Sequence, residues 1–128
     1  MTDVLLDTCA LIWLAKGGGQ LSAKARQAID EAAAVYVSSI SAFEIAYASA
    51  RGRLDLPCDS ERWYYEVLDK HSLAEILLSG KIAIASTKLP MVHKDPCDRF
   101  IIATAQLEDL PIVTVDREFR KYDELIID

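Results

Sequence analysis

Four acidic residues of this sequence stand at predicted strand ends or helix starts, where together they could bind a divalent cation. They are Asp7, Glu44, Asp98 and Asp116. Asp7 ends a predicted strand over 3–7, and Asp116 ends one over 111–116. If both strands are central and parallel, both carboxylates lie at the carboxyl edge of one sheet, where α/β proteins bind ligands. Clustered carboxylates repel one another and favour a bound cation, and an all-oxygen ligand set suits Mg²⁺ or Mn²⁺.

The segment HKDPCDRFIIATAQ, residues 93–106, assigns different roles to its two aspartates. A residue before proline avoids the helical region, so Asp95 is the natural N-cap and Pro96 the first helical residue. Asp98 is then the third helical residue, and apolar residues follow it at spacings of three, four and seven on the same face. A buried carboxylate is costly unless it is paired or metal-bound. The pattern therefore predicts Asp95 as the cap and Asp98 as a ligand.

The other three acids also have a purely structural interpretation. Asp7 could be the N-cap of the helix that follows it, and Asp116 could cap a turn. Ser41 and Glu44 form an S-x-x-E capping box, which would make Glu44 the third residue of a helix over 41–52. At this point the residues alone leave both interpretations open.

Strand-like and helix-like segments alternate along the chain. The predicted strands are 3–7, 35–39, 73–78, 111–116 and 125–128. The first predicted helix begins at residue 8, and the others span 22–33, 41–52, 59–71 and 95–109. The segment 79–90 fits either a strand or a helix. This alternation, without hairpin-type turns, favours one α/β domain over residues 1–128, with a parallel sheet covered by helices on both faces.

Composition places the chain among ordinary globular proteins, with 128 residues, 52% hydrophobic and 27% charged. No apolar run reaches the roughly 18 residues that span a bilayer. The apolar start lacks a basic region and contains Asp3 and Asp7, so we expect no signal peptide. Three widely spaced cysteines indicate neither a disulfide framework nor a zinc site, and the cytoplasm is the expected compartment. The net charge of −6 argues against non-specific nucleic-acid binding, although a carboxylate metal site is itself acidic.

Four segments in order along the chain carry a resemblance to a known family: DVLLDTCALIWLA, SSISAFEIA, HKDPCDRFIIATAQ and IVTVDREF. Together they resemble the PIN domain, and specifically the VapC-like toxins of bacterial toxin–antitoxin pairs. The resemblance implies a three-layer α/β/α sandwich around a central parallel sheet. It also implies cleavage of RNA with Mg²⁺ or Mn²⁺, a cognate antitoxin as partner, and a homodimer.

The same resemblance assigns roles to individual residues. The four family acids correspond to Asp7 in D-T-x-x-L, Glu44 in E-I, Asp98 in D-P-x-D-R and Asp116 in T-x-D. Thr8, Ser41 and Thr114 correspond to hydroxyls near the site, and Arg99 to a basic residue of the family. Cys97 is a departure, because the family usually has Phe or Ala there; we expect no effect on the chemistry.

The predicted mechanism is hydrolysis by water. One or two metal ions would lower the pKa of a water and hold the scissile phosphate for in-line attack. No Ser–His pair suggests a covalent intermediate. The basic residues that flank the acidic segments are candidate phosphate contacts or, equally, a solvated charged face: Lys94, Arg99, Arg117, Arg120 and Lys121.

Two other protein classes fit part of the pattern. A phospho-acceptor receiver domain has an acidic Mg²⁺ pocket on a similar sheet, but it needs paired carboxylates after strand one and a lysine ending the last strand. Here strand one ends in the single Asp7, and the final LIID segment ends in Asp128. A non-catalytic interaction domain, with the acids serving only as caps, is the second alternative.

Overall fold

The computed structural model describes residues 2–90, 95–116, 119 and 126–128. Its strands are β1 (Val4–Leu6), β2 (Val35–Ser38), β3 (Leu73–Ile76), β4 (Ile112–Val113) and β5 (Ile126–Ile127). Its helices are α1 (Thr8–Ala15), α2 (Ala23–Glu31), α3 (Ser39–Ala50), α4 (Ser60–Lys70), α5 (Gly80–Ser86) and α6 (Pro96–Glu108). The strands pair in parallel in the order β3-β2-β1-β4-β5, which confirms the predicted parallel sheet and puts β1 at its centre.

The sheet separates two hydrophobic layers, because successive side chains of a strand point to opposite faces. Val4 and Leu6 of β1 pack with residues of α1, α2 and α4 on one face. Leu5 packs with residues of α5 and α6 on the other face. The three-layer α/β/α sandwich that the family resemblance implied is therefore confirmed.

Side-chain caps set most of the helix starts. Ser22, Asp59 and Ser79 each accept a hydrogen bond from the backbone amide three residues further on. The cap at Ser79 resolves the ambiguous segment 79–90, which contains the helix α5 rather than a strand. At the end of α1, Gly19 has a φ of +40° and lies so close to the Trp13 ring that a Cβ atom would clash with it.

The predicted start of α3 is wrong. Ser38 is the N-cap, and its hydroxyl oxygen accepts a hydrogen bond from the Ile40 amide at 3.1 Å. Glu44 is therefore the sixth residue of the helix, and the Ser41–Glu44 capping box does not form. The run of serines at 38, 39 and 41 offers several good N-caps, and the helix begins directly where β2 ends.

Among the described residues, no helix has both the length and the apolar composition to cross a membrane.

Candidate active site

The fold gathers the four predicted acids at the carboxyl edge of the sheet. Asp7 directly follows β1, Asp116 follows β4, Glu44 lies on the helix after β2, and Asp98 is the third residue of α6. Their charges act on one another. Burial, and after it the neighbouring carboxylates of Asp95, Glu44, Asp7 and Asp116, raise the pKa of Asp98 to about 7.

Asp7 is held on both of its carboxylate oxygens. Its side chain is 3% exposed; Oδ1 accepts a hydrogen bond from the Ala10 amide at 2.7 Å, and Oδ2 accepts one from the Thr114 hydroxyl. The Thr114 oxygen also accepts a bond from the Asp116 amide at 2.9 Å, so it links the two acids. Burial raises the pKa of Asp7 to about 6 although both hydrogen bonds lower it. Asp7 is thus the N-cap of α1 and a member of the acidic centre at once.

Glu44 is oriented by a chain of two hydroxyls. The Thr8 hydroxyl donates to Glu44 Oε1 at 2.5 Å, and the Thr8 and Ser41 oxygens are 2.8 Å apart. Since Thr8 has a single hydroxyl proton, which it gives to the carboxylate, Ser41 is the donor to Thr8. Burial raises the pKa of Glu44, which the Thr8 bond partly offsets. The hydroxyls that the family resemblance placed near the site therefore contact the acids, Thr8 and Thr114 directly and Ser41 through Thr8.

Asp95 and Asp98 occupy the helix positions that Pro96 predicts. Asp95 is the N-cap of α6, and its Oδ1 accepts a hydrogen bond from the Cys97 amide at 2.9 Å. The structure adds a feature that the sequence argument missed, because carboxylate oxygens of Glu44, Asp95 and Asp98 all lie within 4.8 Å of one another. The sequence did contain a signal for this, because the N-cap Asp95 and the third helical residue Asp98 both lie in the first turn of α6.

The chemistry of the donors fits a hard divalent cation. Every candidate ligand is a carboxylate oxygen, and the oxygens of the close trio are near enough to share one ion. Burial is the main cause of the raised pKa values of Asp7 and Asp98, and the neighbouring carboxylates add to it. A bound cation reverses that effect by favouring the ionised carboxylates. The residues that could hold Mg²⁺ or Mn²⁺ are Asp7, Glu44, Asp98 and Asp116, with Asp95 beside them.

Comparison with known proteins agrees with this geometry. The family model of the PIN domain matches residues 4–125, which is nearly the whole chain. The chain belongs to the PIN domain family. Ribonuclease VapC22 of Mycobacterium tuberculosis is 32% identical over 123 residues, which cover 95% of this chain and 93% of that protein.

Two solved structures share this PIN fold. A toxin–antitoxin complex from Klebsiella pneumoniae contains a chain with 25% identity and a TM-score of 0.67, covering 98% of this chain and 96% of that one. VapBC2 from Rickettsia felis, bound to a DNA fragment from its promoter, contains a chain with 18% identity and a TM-score of 0.72, covering 99% and 98%. The second likeness concerns the fold alone.

Two thiols border the acidic centre of this PIN domain. Burial and the surrounding carboxylates raise the pKa of Cys9 and of Cys97 to about 12. Both are therefore protonated thiols at neutral pH, and a thiol is a poor nucleophile and metal ligand until it ionises. This agrees with hydrolysis by water and with the expectation that Cys97 does not change the chemistry.

Arg99 has a structural position that argues against the predicted contact with RNA phosphate. Its side chain is buried, and the guanidinium donates to the carbonyl oxygens of Ser86, Leu89 and Pro90 at 2.8, 3.0 and 2.9 Å. These carbonyls belong to the C-terminal end of α5 and the segment after it. Arg99 thereby ties α6 to α5, and its positive charge satisfies carbonyls that the helix end leaves without intrahelical donors.

The other predicted phosphate contacts, Lys94, Arg117, Arg120 and Lys121, lie outside the described residues, as does His93.

Proposed function

We propose that this PIN domain is a Mg²⁺- or Mn²⁺-dependent endoribonuclease that hydrolyses RNA phosphodiester bonds and acts as the toxin of a toxin–antitoxin pair. The observation that carries the proposal is the convergence of Asp7, Glu44, Asp98 and Asp116 at the carboxyl edge of the central strands. The 32% identity to a ribonuclease over nearly the whole chain supports the reaction class.

Each acid has its own part in the proposed reaction. Asp7, Asp98 and Asp116 hold the cation, and Thr114 keeps Asp7 and Asp116 in register through its two hydrogen bonds. Glu44, aimed by Thr8 and Ser41, completes the ligand set or accepts the proton of the attacking water. A cation held by these residues would supply a water of lowered pKa and would neutralise charge that develops on the phosphate.

The test is cleavage of a labelled RNA with Mg²⁺, with Mn²⁺ and with EDTA. We expect cleavage by the wild type with either metal and none in EDTA. Asp98→Asn should abolish it while the protein stays folded. Asp69→Asn is the matched control, since it removes an equal charge from an exposed position on α4 and should cleave normally. Cleavage that continues in EDTA would overturn the metal-dependent reaction.

The same experiment separates the nuclease from the other two protein classes, and a measurement of Mg²⁺ binding separates those two from each other. A receiver domain would bind Mg²⁺ without cutting RNA, and a non-catalytic interaction domain would do neither. Membership of the PIN family favours the nuclease over both.

The proposed partners are RNA and a cognate antitoxin. The 25% identity to a chain of a toxin–antitoxin complex supports the antitoxin. A bound antitoxin should suppress RNA cleavage stoichiometrically in a titration. Three free cysteines agree with a cytoplasmic protein, since thiols stay reduced there. The homodimer rests on the family resemblance, and sedimentation of the purified protein tests it.

A further inference from the structure

A groove of about 580 Å³ opens from the acidic centre and runs along α3. Glu44 and Asp95 line it at the acidic end, and Phe43, Tyr47 and Arg53 line the remainder. The groove is therefore continuous with the carboxylates that hold the cation in the proposed reaction. Any chain whose phosphate reaches those carboxylates has this groove beside it.

Two aromatic rings form an exposed platform in the groove. Phe43 is 54% exposed and Tyr47 is 47% exposed, although large apolar rings are usually buried. Their ring centroids are 5.6 Å apart at an interplanar angle of 25°, so the two rings stack. The Arg51 guanidinium lies over the Tyr47 ring, 4.7 Å from its centroid, in a cation–π contact that helps to fix the ring. The platform is thus ordered without being buried, which lowers the entropy cost of stacking a ligand on it.

The groove also contains a positive charge in a chain whose net charge is −6. Arg53 is exposed, and among the described residues no side-chain hydrogen bond or ion pair engages its guanidinium. A neighbouring groove shares Phe43 but has Glu61 as its charged lining residue, beside Tyr64 and Tyr65. Glu44 and Asp95 repel a phosphate at the acidic end of the first groove unless a cation is bound there, but Arg53 attracts one in the remainder of that groove. The lining of the second groove includes no cation, so the two grooves differ in the ligand they suit.

We propose that this groove binds the single-stranded RNA next to the cleaved phosphate, with a base stacked on Phe43 and a backbone phosphate at Arg53. The proposal rests on the ribonuclease function. Proteins that bind single-stranded nucleic acid combine aromatic stacking with cations that follow the backbone, which is the combination found here. Phe43 offers a base the face of a ring and no hydrogen-bonding group, so the stack itself selects no particular base.

The test compares two strands that differ only in their bases. One is a single-stranded RNA of about 12 nucleotides, a length within the range such sites cover. The other has the same ribose–phosphate backbone without bases. Binding is measured with Ca²⁺ in place of Mg²⁺, and cleavage with Mg²⁺ gives KM and kcat. The variants are Phe43→Ala, Phe43→Leu and Arg53→Ala, with Tyr65→Ala and Lys24→Ala as exposed controls outside the groove.

Phe43→Ala should weaken binding of the base-bearing strand by roughly 5- to 100-fold, the range for one lost base–aromatic stack, and raise its KM with kcat nearly unchanged. The abasic strand should bind Phe43→Ala as it binds the wild type. Phe43→Leu keeps an apolar side chain of similar bulk but has no ring for a base to stack on, so it should behave like Phe43→Ala. Arg53→Ala should weaken both strands and reduce the slope of log affinity against log salt by roughly 0.7. Neither control variant should change the affinity for RNA or the KM.

The outcomes distinguish failure of the groove proposal from failure of the ribonuclease proposal on which it rests. A wild type that cleaves no RNA with Mg²⁺ ends the ribonuclease proposal and this one together. A wild type that cleaves RNA, with unchanged KM and affinity in Phe43→Ala and Arg53→Ala, overturns the groove proposal alone; a surface built for a protein partner would give that result. Equal losses on both strands in Phe43→Ala would also overturn the stacking.

Discussion

Asp7 and Asp98 belong to the same acidic centre, but the fold holds them in different ways. Asp7 is almost fully buried and accepts hydrogen bonds from the Ala10 amide and the Thr114 hydroxyl. Asp98 is half-buried at the start of α6, where Asp95 has already taken the role of cap. Both carboxyls have a raised pKa, about 6 for Asp7 and about 7 for Asp98.

This difference in hydrogen bonding indicates that Asp7 has a structural role in addition to the proposed metal binding, whereas metal binding is the main role that we propose for Asp98. Asp7 satisfies two donors, so its carboxyl stabilises the protein whether or not a metal is bound. Around Asp98, burial and four neighbouring carboxylates all oppose ionisation. The ionised form of Asp98 is therefore disfavoured where no cation is bound, whereas the oxygens of Asp7 accept two hydrogen bonds within the fold.

The largest expected effect is on catalysis, and it should be the same at both acids. Asp7→Asn and Asp98→Asn each keep the size of the side chain and remove a charge that the metal needs. Losses of ligand support commonly cost about 10- to 100-fold, and we expect at least about 100-fold for a ligand itself. Turnover on RNA at saturating Mn²⁺ measures this. Normal turnover in either variant would remove that residue from the metal site.

Stability should then separate the two acids. At about pH 5 in EDTA both carboxyls are protonated, given their pKa values of about 6 and 7. Asp7→Ala removes an N-cap and leaves the buried Thr114 hydroxyl without its acceptor, so we expect a loss of about 1–3 kcal/mol in unfolding free energy. Asp98→Ala removes no N-cap and puts a strong helix former in the third helical position, so it should cost less than Asp7→Ala. Equal losses in denaturant titrations would refute the proposed difference.

Two of the helix starts at the site, those of α6 and α3, show what could be predicted from the sequence. Pro96 disfavours the helical region for Asp95 and suits the first helical position. The start of α6 could therefore be predicted from a conformational restriction that is specific to proline. The start of α3 offered several serines with similar capping ability. Only the end of β2 at Ser38 selects among them, and that boundary is set by pairing with β1 and β3.

The contacts that sequence reasoning missed all depend on the packing of separate segments. Arg99 was expected either to contact an RNA phosphate or to be a solvated charge, but the carbonyls that bind its guanidinium belong to the end of α5 and the segment after it, 9 to 13 residues away. Asp95 is the cap that the sequence predicts, but its closeness to Glu44 was not foreseen, because it arises from the packing of α3 beside α6. The acids at strand ends were predictable because parallel strands share one carboxyl edge.

The pH dependence of stability should expose the raised pKa values. The folded protein binds more protons than the unfolded chain between the unfolded value of 3.8 and the folded values of about 6 and 7. Stability is therefore greatest below that window and falls as pH rises through it. In EDTA, the melting temperature should decrease from about pH 5 to about pH 7.5, and less so in Asp98→Asn.

Saturating Mg²⁺ should reverse this trend, because metal binding requires the ionised carboxylates and grows as they lose protons. Thermal melts at each pH, with and without the metal, make the measurement. A melting temperature in EDTA that rises over this range would mean that the two carboxyls are stabilised as anions.

The smallest expected effect is at Asp95, and it tests whether the cap also serves the metal. Asp95→Asn keeps an oxygen for the Cys97 amide, so the helix start and the stability should be preserved. Its charge is lost at an exposed position, where charge interactions are worth about 1 kcal/mol or less, or roughly fivefold in affinity for Mn²⁺. Turnover at saturating Mn²⁺ should therefore stay near that of the wild type. Asp95→Asn as inactive as Asp98→Asn would make Asp95 a ligand, and the separation between cap and ligand at this helix would be wrong.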